Sequence, residues 1–274
     1  MSLPVESPGS RAVSCLVMAV LCVFAASVAA TQVTMKRVGG EEMAVRILGN
    51  SGPWIVFEAG LNEGIETWEQ VAPALAACAR VVLYDRLGIG RSAPRPAHGP
   101  VLASAVADRL MRLLAAIDAT PPYILVGHSL GGLYVQSVAR RYPMSVAGVV
   151  LVEAASPYEP PGVFVSTVPP APGSTAAAEE AGVAPSVRAL LAGPPFPPLP
   201  LIVLAATDHG DTSERESLWR DVQARTAALS PKGHLEVVEG SGHFTQNDRP
   251  QAVIQAVLRL ARENGADVSR CRAK

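Results

Sequence analysis

The chain has 274 residues, 49% hydrophobic and 17% charged, which is enough apolar material for one large α/β core. Its formal net charge is -1 with no long basic run, which argues against nucleic acid as a partner. Its four cysteines form no CxxC or Cys/His cluster, so neither a metal nor a cofactor is expected.

Arg11 precedes the uncharged run 12–30, which ends in Ser27-Val28-Ala29-Ala30. A basic residue, an apolar middle and small residues at the end match a secretory signal, with cleavage expected near Ala29 or Ala30. The run is also long enough to span a bilayer. Residues 1–30 are therefore expected to be a signal peptide or, if retained, a membrane anchor. Either places residues 31–274 outside the cytoplasm, secreted or periplasmic, and a membrane is a partner only if the segment stays. Cys15 and Cys22 would leave with it. For Cys78 and Cys271 two readings stay open: one disulfide, as export permits, or a buried small hydrophobe and a thiol on the tail.

Thr34–Leu48 reads as a β-hairpin turned at Gly39-Gly40. Pro53–Glu58 reads as a strand, Trp68–Ala77 as a helix and Val81–Tyr84 as a strand. Residues 101–118 carry an apolar stripe at helical spacing, with Val106, Leu110, Leu113, Leu114 and Ile117 on one face. Tyr123–Val126 is a short buried strand, Gly132–Ala139 a helix and Gly148–Glu153 a strand. Residues 154–199 then break the rhythm with eleven prolines. Such a segment cannot add a sheet strand and is too long for an ordinary loop, so it is expected to be a lid or linker. Leu201–Ala205, a helix over 213–229, Leu235–Val238 and a last helix from Pro250 complete the pattern. Eight short strands alternating with helices predict a mostly parallel sheet covered on both faces.

Between the strand ending at Val126 and the following helix lies Gly127-His128-Ser129-Leu130-Gly131. Strand, Gly-x-Ser-x-Gly, helix is the context of a nucleophile elbow. The turn is so sharp that flanking side chains would collide, and glycines at 127 and 131 remove them, leaving the Ser129 hydroxyl raised above the sheet. A serine hydroxyl needs a base to take its proton during attack. His243, in Gly240-Ser241-Gly242-His243-Phe244 after the last strand, is the expected base. His128 is expected to pack beside the elbow, while His98, His209 and His234 have no context favouring catalysis. Asp85 and Arg86 read as structural, since an aspartate in the Gly-rich turn 85–92 can accept backbone N–H bonds. Trp68 reads as a packing residue.

With elbow and rhythm in place, the chain resembles the α/β-hydrolase fold over about residues 35–265. Tyr84–Ser92 is similar to that family's loop after the fourth strand, and Gly60 stands where the family has a His-Gly oxyanion loop. Here Ala59 replaces that histidine and Glu58 precedes it. The resemblance implies backbone oxyanion donors at Leu61 and Leu130, and the chain order serine, acid, histidine. It leaves two acids open. A strand-seven acid would be Asp208, although aligning Pro200–Ala206 on the family pattern puts His209 at that position. A strand-six acid, as in some haloalkane dehalogenases, would be Glu153, which is favoured.

The function this implies is an exported serine hydrolase cleaving a carboxylic ester through an acyl-enzyme. The substrate would be a small ester or amide, and serine at the elbow disfavours the branches that use aspartate there. Apolar residues of the insertion, Val163, Phe164, Val165, Leu190, Leu191 and Phe196, are expected to line an acyl pocket. A proline-releasing aminopeptidase is an alternative that needs insertion carboxylates to hold a substrate amine, and Glu159, Glu179 and Glu180 are the ones available. A cofactor-free perhydrolase shares the same triad, and a non-catalytic binding protein on this fold is the remaining reading.

Overall fold

Alternate residues of a strand face opposite sides of a sheet, and here both sides are apolar. Ile55 and Phe57, Val81 and Leu83, Ile124 and Val126 enter one buried cluster; Trp54 and Val56, Val82 and Tyr84, Tyr123 and Leu125 enter another. Strands buried on both faces need cover on both. The computed structural model describes Met1 and residues 32–95, 99–160 and 168–271. The expected leader or anchor, His98, and Val163, Phe164 and Val165 lie outside the described residues.

The eight strands are β1 Thr34–Val38, β2 Glu41–Leu48, β3 Trp54–Glu58, β4 Arg80–Tyr84, β5 Tyr123–His128, β6 Val146–Val152, β7 Leu201–Ala206 and β8 Gly233–Val238. They form one sheet in the order β1-β2-β4-β3-β5-β6-β7-β8. β1 and β2 pair antiparallel, as do β2 and β4; every later pairing is parallel. The helices are α1 Ala72–Leu75, α2 Ala103–Ala116, α3 Leu130–Arg141, α4 Thr175–Ala192, α5 Ser213–Ala227, α6 Thr245–Asp248 and α7 Pro250–Glu263. α1 and α7 cover the first cluster, with Val253, Ile254, Val257 and Leu260 buried; α2, α3 and Ala227 of α5 cover the second. The α/β architecture expected from the alternation is the one observed.

Two elements differ from expectation. The helix expected over Trp68–Ala77 is a 3-10 turn at Ile65–Trp68 followed by the short α1. Pro73 lacks a backbone N–H and sits at the start of α1, where a helix's N–H groups have no partner of their own and proline fits best. In the Pro-rich stretch, α4 is a regular helix of 18 residues, with the Ser174 side chain accepting the Ala177 N–H at its start. Its buried stripe, Ala176, Glu179, Gly182, Ser186 and Leu190, has helical spacing, but all of it except Leu190 is small or polar. An apolar-period reading passes over such a stripe. Pro185 sits inside the helix.

Cys78 and Cys271 form a disulfide with their Cα atoms 5.4 Å apart, pinning the C-terminal segment beside the start of β4. Both are buried in the cluster under α7. Among the described residues, no helix is long and apolar enough to cross a membrane.

Candidate active site

β5 runs straight into α3, and Ser129 occupies the junction with φ 49° and ψ -123°. That conformation is costly for a residue bearing a Cβ and is retained only where its surroundings impose it. The surroundings are close. A Cβ on Gly127 would lie 2.7 Å from the Gly131 carbonyl oxygen, and one on Gly131 would lie 2.4 Å from that of Glu58. The Ser129 N–H donates to Val152 O at 3.1 Å, and its carbonyl accepts from Gly132 at 2.9 Å and Ala155 at 2.9 Å. The turn is thus held from both sides.

The loop after β8 brings His243 over this turn. Its Nε2 lies 3.0 Å from Ser129 Oγ, and its Nδ1 3.5 Å from Glu153 Oε2. The ring is 40% exposed, whereas the Glu153 side chain is fully buried. His128 lies beneath: its Nε2 donates to the His243 carbonyl at 2.9 Å, and its Nδ1 is 3.1 Å from Glu63 Oε2. It packs beside the elbow as expected.

Glu153 follows β6 at φ 48° and its carboxylate collects four donors. Oε1 accepts the Ala206 N–H at 2.6 Å and the Trp219 indole N–H at 3.0 Å; Oε2 faces His209 Nε2 at 2.7 Å as well as His243. Burial would raise its pKa, but the bonds from His209, His243, Trp219 and Ala206 bring it down to about 2. The carboxylate is therefore ionised at neutral pH. The alternative acid, Asp208, is exposed, and it is its backbone N–H that meets the histidine loop, at Ser241 O, 2.9 Å.

The loop after β3 carries the expected oxyanion donor at Leu61. It is held by Arg86, whose guanidinium donates to Ala59 O at 2.8 Å and Gly60 O at 2.6 Å while pairing with Glu58 Oε1 at 2.8 Å and Glu179 Oε1 at 2.7 Å. Glu179 Oε2 accepts the Asn62 N–H at 2.9 Å, so α4 grips the same loop. Tyr84 donates its hydroxyl to Glu58 Oε2. Burial raises the Glu58 carboxyl, and Arg86 and Tyr84 pull it back only in part. Glu58 and Arg86 therefore do the fixing that the absent histidine cannot. Leu130 is the first residue of α3, where a helix has no carbonyl of its own to bond the N–H. Leu61 packs against the cluster that contains Leu130. Asp85 accepts from the N–H groups of Ile65 and Arg91, each at 2.9 Å, the structural role its turn predicted.

A family model described as "alpha/beta hydrolase fold" matches residues 53–178. The chain has the α/β-hydrolase fold. A curated relative, the uncharacterized protein YqjL of Bacillus subtilis, is 27% identical over 229 residues, 76% of this chain and 83% of that protein. Other curated relatives align over 16–41% of their own length. Among solved structures, a thermophilic esterase from Thermogutta terrifontis superposes with a TM-score of 0.68 at 20% identity, over 85% of this chain and 98% of that one. Carboxylesterase CesB (YbfK) of Bacillus subtilis does so with a TM-score of 0.61 at 15% identity, over 84% and 90%.

Within this hydrolase fold the expected acyl-pocket residues scatter. Leu190 packs with Leu130, Leu133 and Tyr134 between α4 and the elbow helix. Leu191, one residue on, is turned outward and 58% exposed, and Phe196 is buried in the sheet's second cluster with the Arg140 guanidinium over its ring. One helical step rotates a side chain by about 100°, which is why neighbours 190 and 191 part company. Of the insertion carboxylates, Glu179 is committed to Arg86 and Asn62, Glu180 is half-buried, and Glu159 bonds the Ser156 N–H at 2.6 Å. His209, which alignment on the family pattern places at the strand-seven acid position, was expected to have no catalytic context. It lies between Glu153 and Glu216, and the weak signal for it was its place just past β7. Among the described residues, no group of three or more His, Cys, Asp or Glu is arranged to hold a metal ion.

Proposed function

We propose that the protein is an exported serine hydrolase that cleaves carboxylic esters through an acyl-enzyme. Ser129 is the nucleophile, His243 the base and Glu153 the acid of the triad. The single observation that carries this is a strained serine hydroxyl 3.0 Å from His243 Nε2, with that ring's Nδ1 turned to a buried carboxylate.

As Ser129 Oγ attacks the ester carbonyl carbon, its proton passes to Nε2 of His243, and Glu153 steadies the imidazolium through Nδ1. The carbonyl oxygen becomes an oxyanion, met by the backbone N–H groups of Leu130 and Leu61, each worth ~3 kcal/mol to the transition state. Collapse expels the alcohol, which takes the proton back from Nε2 and leaves the acyl group on Ser129. Water then attacks with His243 as base, releasing the acid and restoring the serine. Esterases of this fold support the choice of ester, and α4, packed against the elbow helix, serves as a cover over it. Export is supported by the pattern of residues 12–30 and by a disulfide that suits an oxidising compartment.

In the test, Ser129→Ala abolishes turnover of a short-chain p-nitrophenyl ester in a protein that still folds, and full activity in that variant ends the reading. In the same assay Glu153→Gln loses far more kcat than Asp208→Asn, and the reverse order moves the acid to Asp208. N-terminal sequencing of secreted material checks export, an intact Met1 arguing against cleavage.

A further inference from the structure

This inference rests on the triad just proposed and concerns what stands behind its acid. His209, in the loop after β7, is clamped by two carboxylates. Its Nε2 lies 2.7 Å from Glu153 Oε2, its Nδ1 2.7 Å from Glu216 Oε2, and its backbone N–H donates to Glu216 Oε1 at 2.8 Å. An ionised carboxylate only accepts, so both ring nitrogens must carry hydrogens for both contacts to be bonds. That species is the imidazolium. The oxygen it holds, Glu153 Oε2, is the one that faces His243, and it sits nearer His209 at 2.7 Å than His243 at 3.5 Å.

We infer that His209 is a positioning residue for this hydrolase: braced against Glu216, it holds the Glu153 carboxylate in place for Nδ1 of His243 and takes up part of its charge. Two effects follow, one of geometry and one of charge. Without the Nε2 donor, Glu153 Oε2 loses its shortest partner and the tautomer of His243 is less well fixed. Without the positive charge, Glu153 faces the imidazolium that His243 becomes in turnover with one neighbouring cation fewer, and the rate profile responds on its acid limb.

The groups facing His209 are Glu153 after β6, Glu216 and Trp219 from α5, and, beyond Glu153, His243 from the loop after β8. Asp211 close by is paired with Arg215 at 2.9 Å. The bond to Glu153 outweighs the cost of burial and, with Glu216, lifts His209 to about 9, so it is charged across the neutral range. Glu159, raised by burial to about 7, acts electrostatically on both His243 and Glu153. It titrates in the same region, so profiles must be compared between variants that all retain it.

The test uses the full chain with His209→Gln and His209→Asn. Glutamine places an amide N–H near the Nε2 position without charge; asparagine is too short to reach Glu153. For each we would measure kcat, KM and the pH profile of kcat/KM on a p-nitrophenyl ester, counting active sites by fluorophosphonate labelling. His209→Asn should lower kcat ~10-fold with little change in KM, and His209→Gln should recover most of that loss. Both should move the acid limb of kcat/KM up by ~0.5 pH unit or more. Wild-type kcat and an unmoved acid limb in both variants overturn the inference, as do equal kcat losses with the limb unmoved. If His209→Asn does not fold, the acid limb of His209→Gln decides alone. Glu153→Gln, run alongside, separates the two readings. If it is silent, the acid assignment falls; if it is crippled while the His209 variants are silent, only the role given to His209 falls.

Discussion

Ser129 occupies a conformation that only its neighbours impose, and that has a measurable cost. A side chain at φ 49° and ψ -123° stores on the order of 1–3 kcal/mol. Glycine adopts such angles freely. Ser129→Gly should therefore abolish turnover while raising stability by ~1 kcal/mol, read as a melting temperature ~2–4 °C higher. An equal or lower melting temperature would contradict the strain. At this scale the pentapeptide 127–131 was legible because its constraint is steric and local. His209 was not, since its meaning depends on Glu153, 56 positions away in the chain and beside it only in the fold.

At the scale of elements, α4 belongs to the site as much as to the insertion. Through Glu179 it holds Arg86 and the Asn62 N–H, and so the loop that bears Leu61. Removing one partner of a buried charged pair leaves the other uncompensated. Glu179→Ala should cost ~3 kcal/mol, seen as a lower denaturant midpoint, and should also lower kcat as the loop bearing Leu61 loosens. Glu179→Gln, which keeps an acceptor for Asn62, should lose less of both. A wild-type midpoint and kcat in Glu179→Ala would show that the grip contributes nothing. The strands and α2 and α7 could be read from apolar periodicity because they bury large side chains. α4 could not, because Gly182 and Ser186 leave no apolar trace where they pack.

For the whole molecule, the disulfide is a long-range covalent tie. It links positions 193 apart, so chain-entropy reasoning sets its contribution at ~5 kcal/mol as an upper figure. Cys271→Ala, or reduction of the native chain, should lower the urea midpoint, and the variant should no longer respond to reductant. An unchanged midpoint in both would mean that burial of the C-terminal segment under α7 holds without the bond. The cysteine count allowed this pair but did not select it, because pairing needs Cα atoms within reach.

The chain by itself determined the alternation of strand and helix, the two-sided burial of the sheet, and a serine raised at a bend. Each rests on the sterics and periodicity of residues close together in sequence. Tertiary structure alone decided that Glu153, not Asp208, turns its carboxylate to His243, and that Glu58 and Arg86 hold the loop that bears Leu61. It also brought His209 behind that carboxylate. Those outcomes depend on the directions of strand ends brought side by side by the sheet order, which no local pattern encodes.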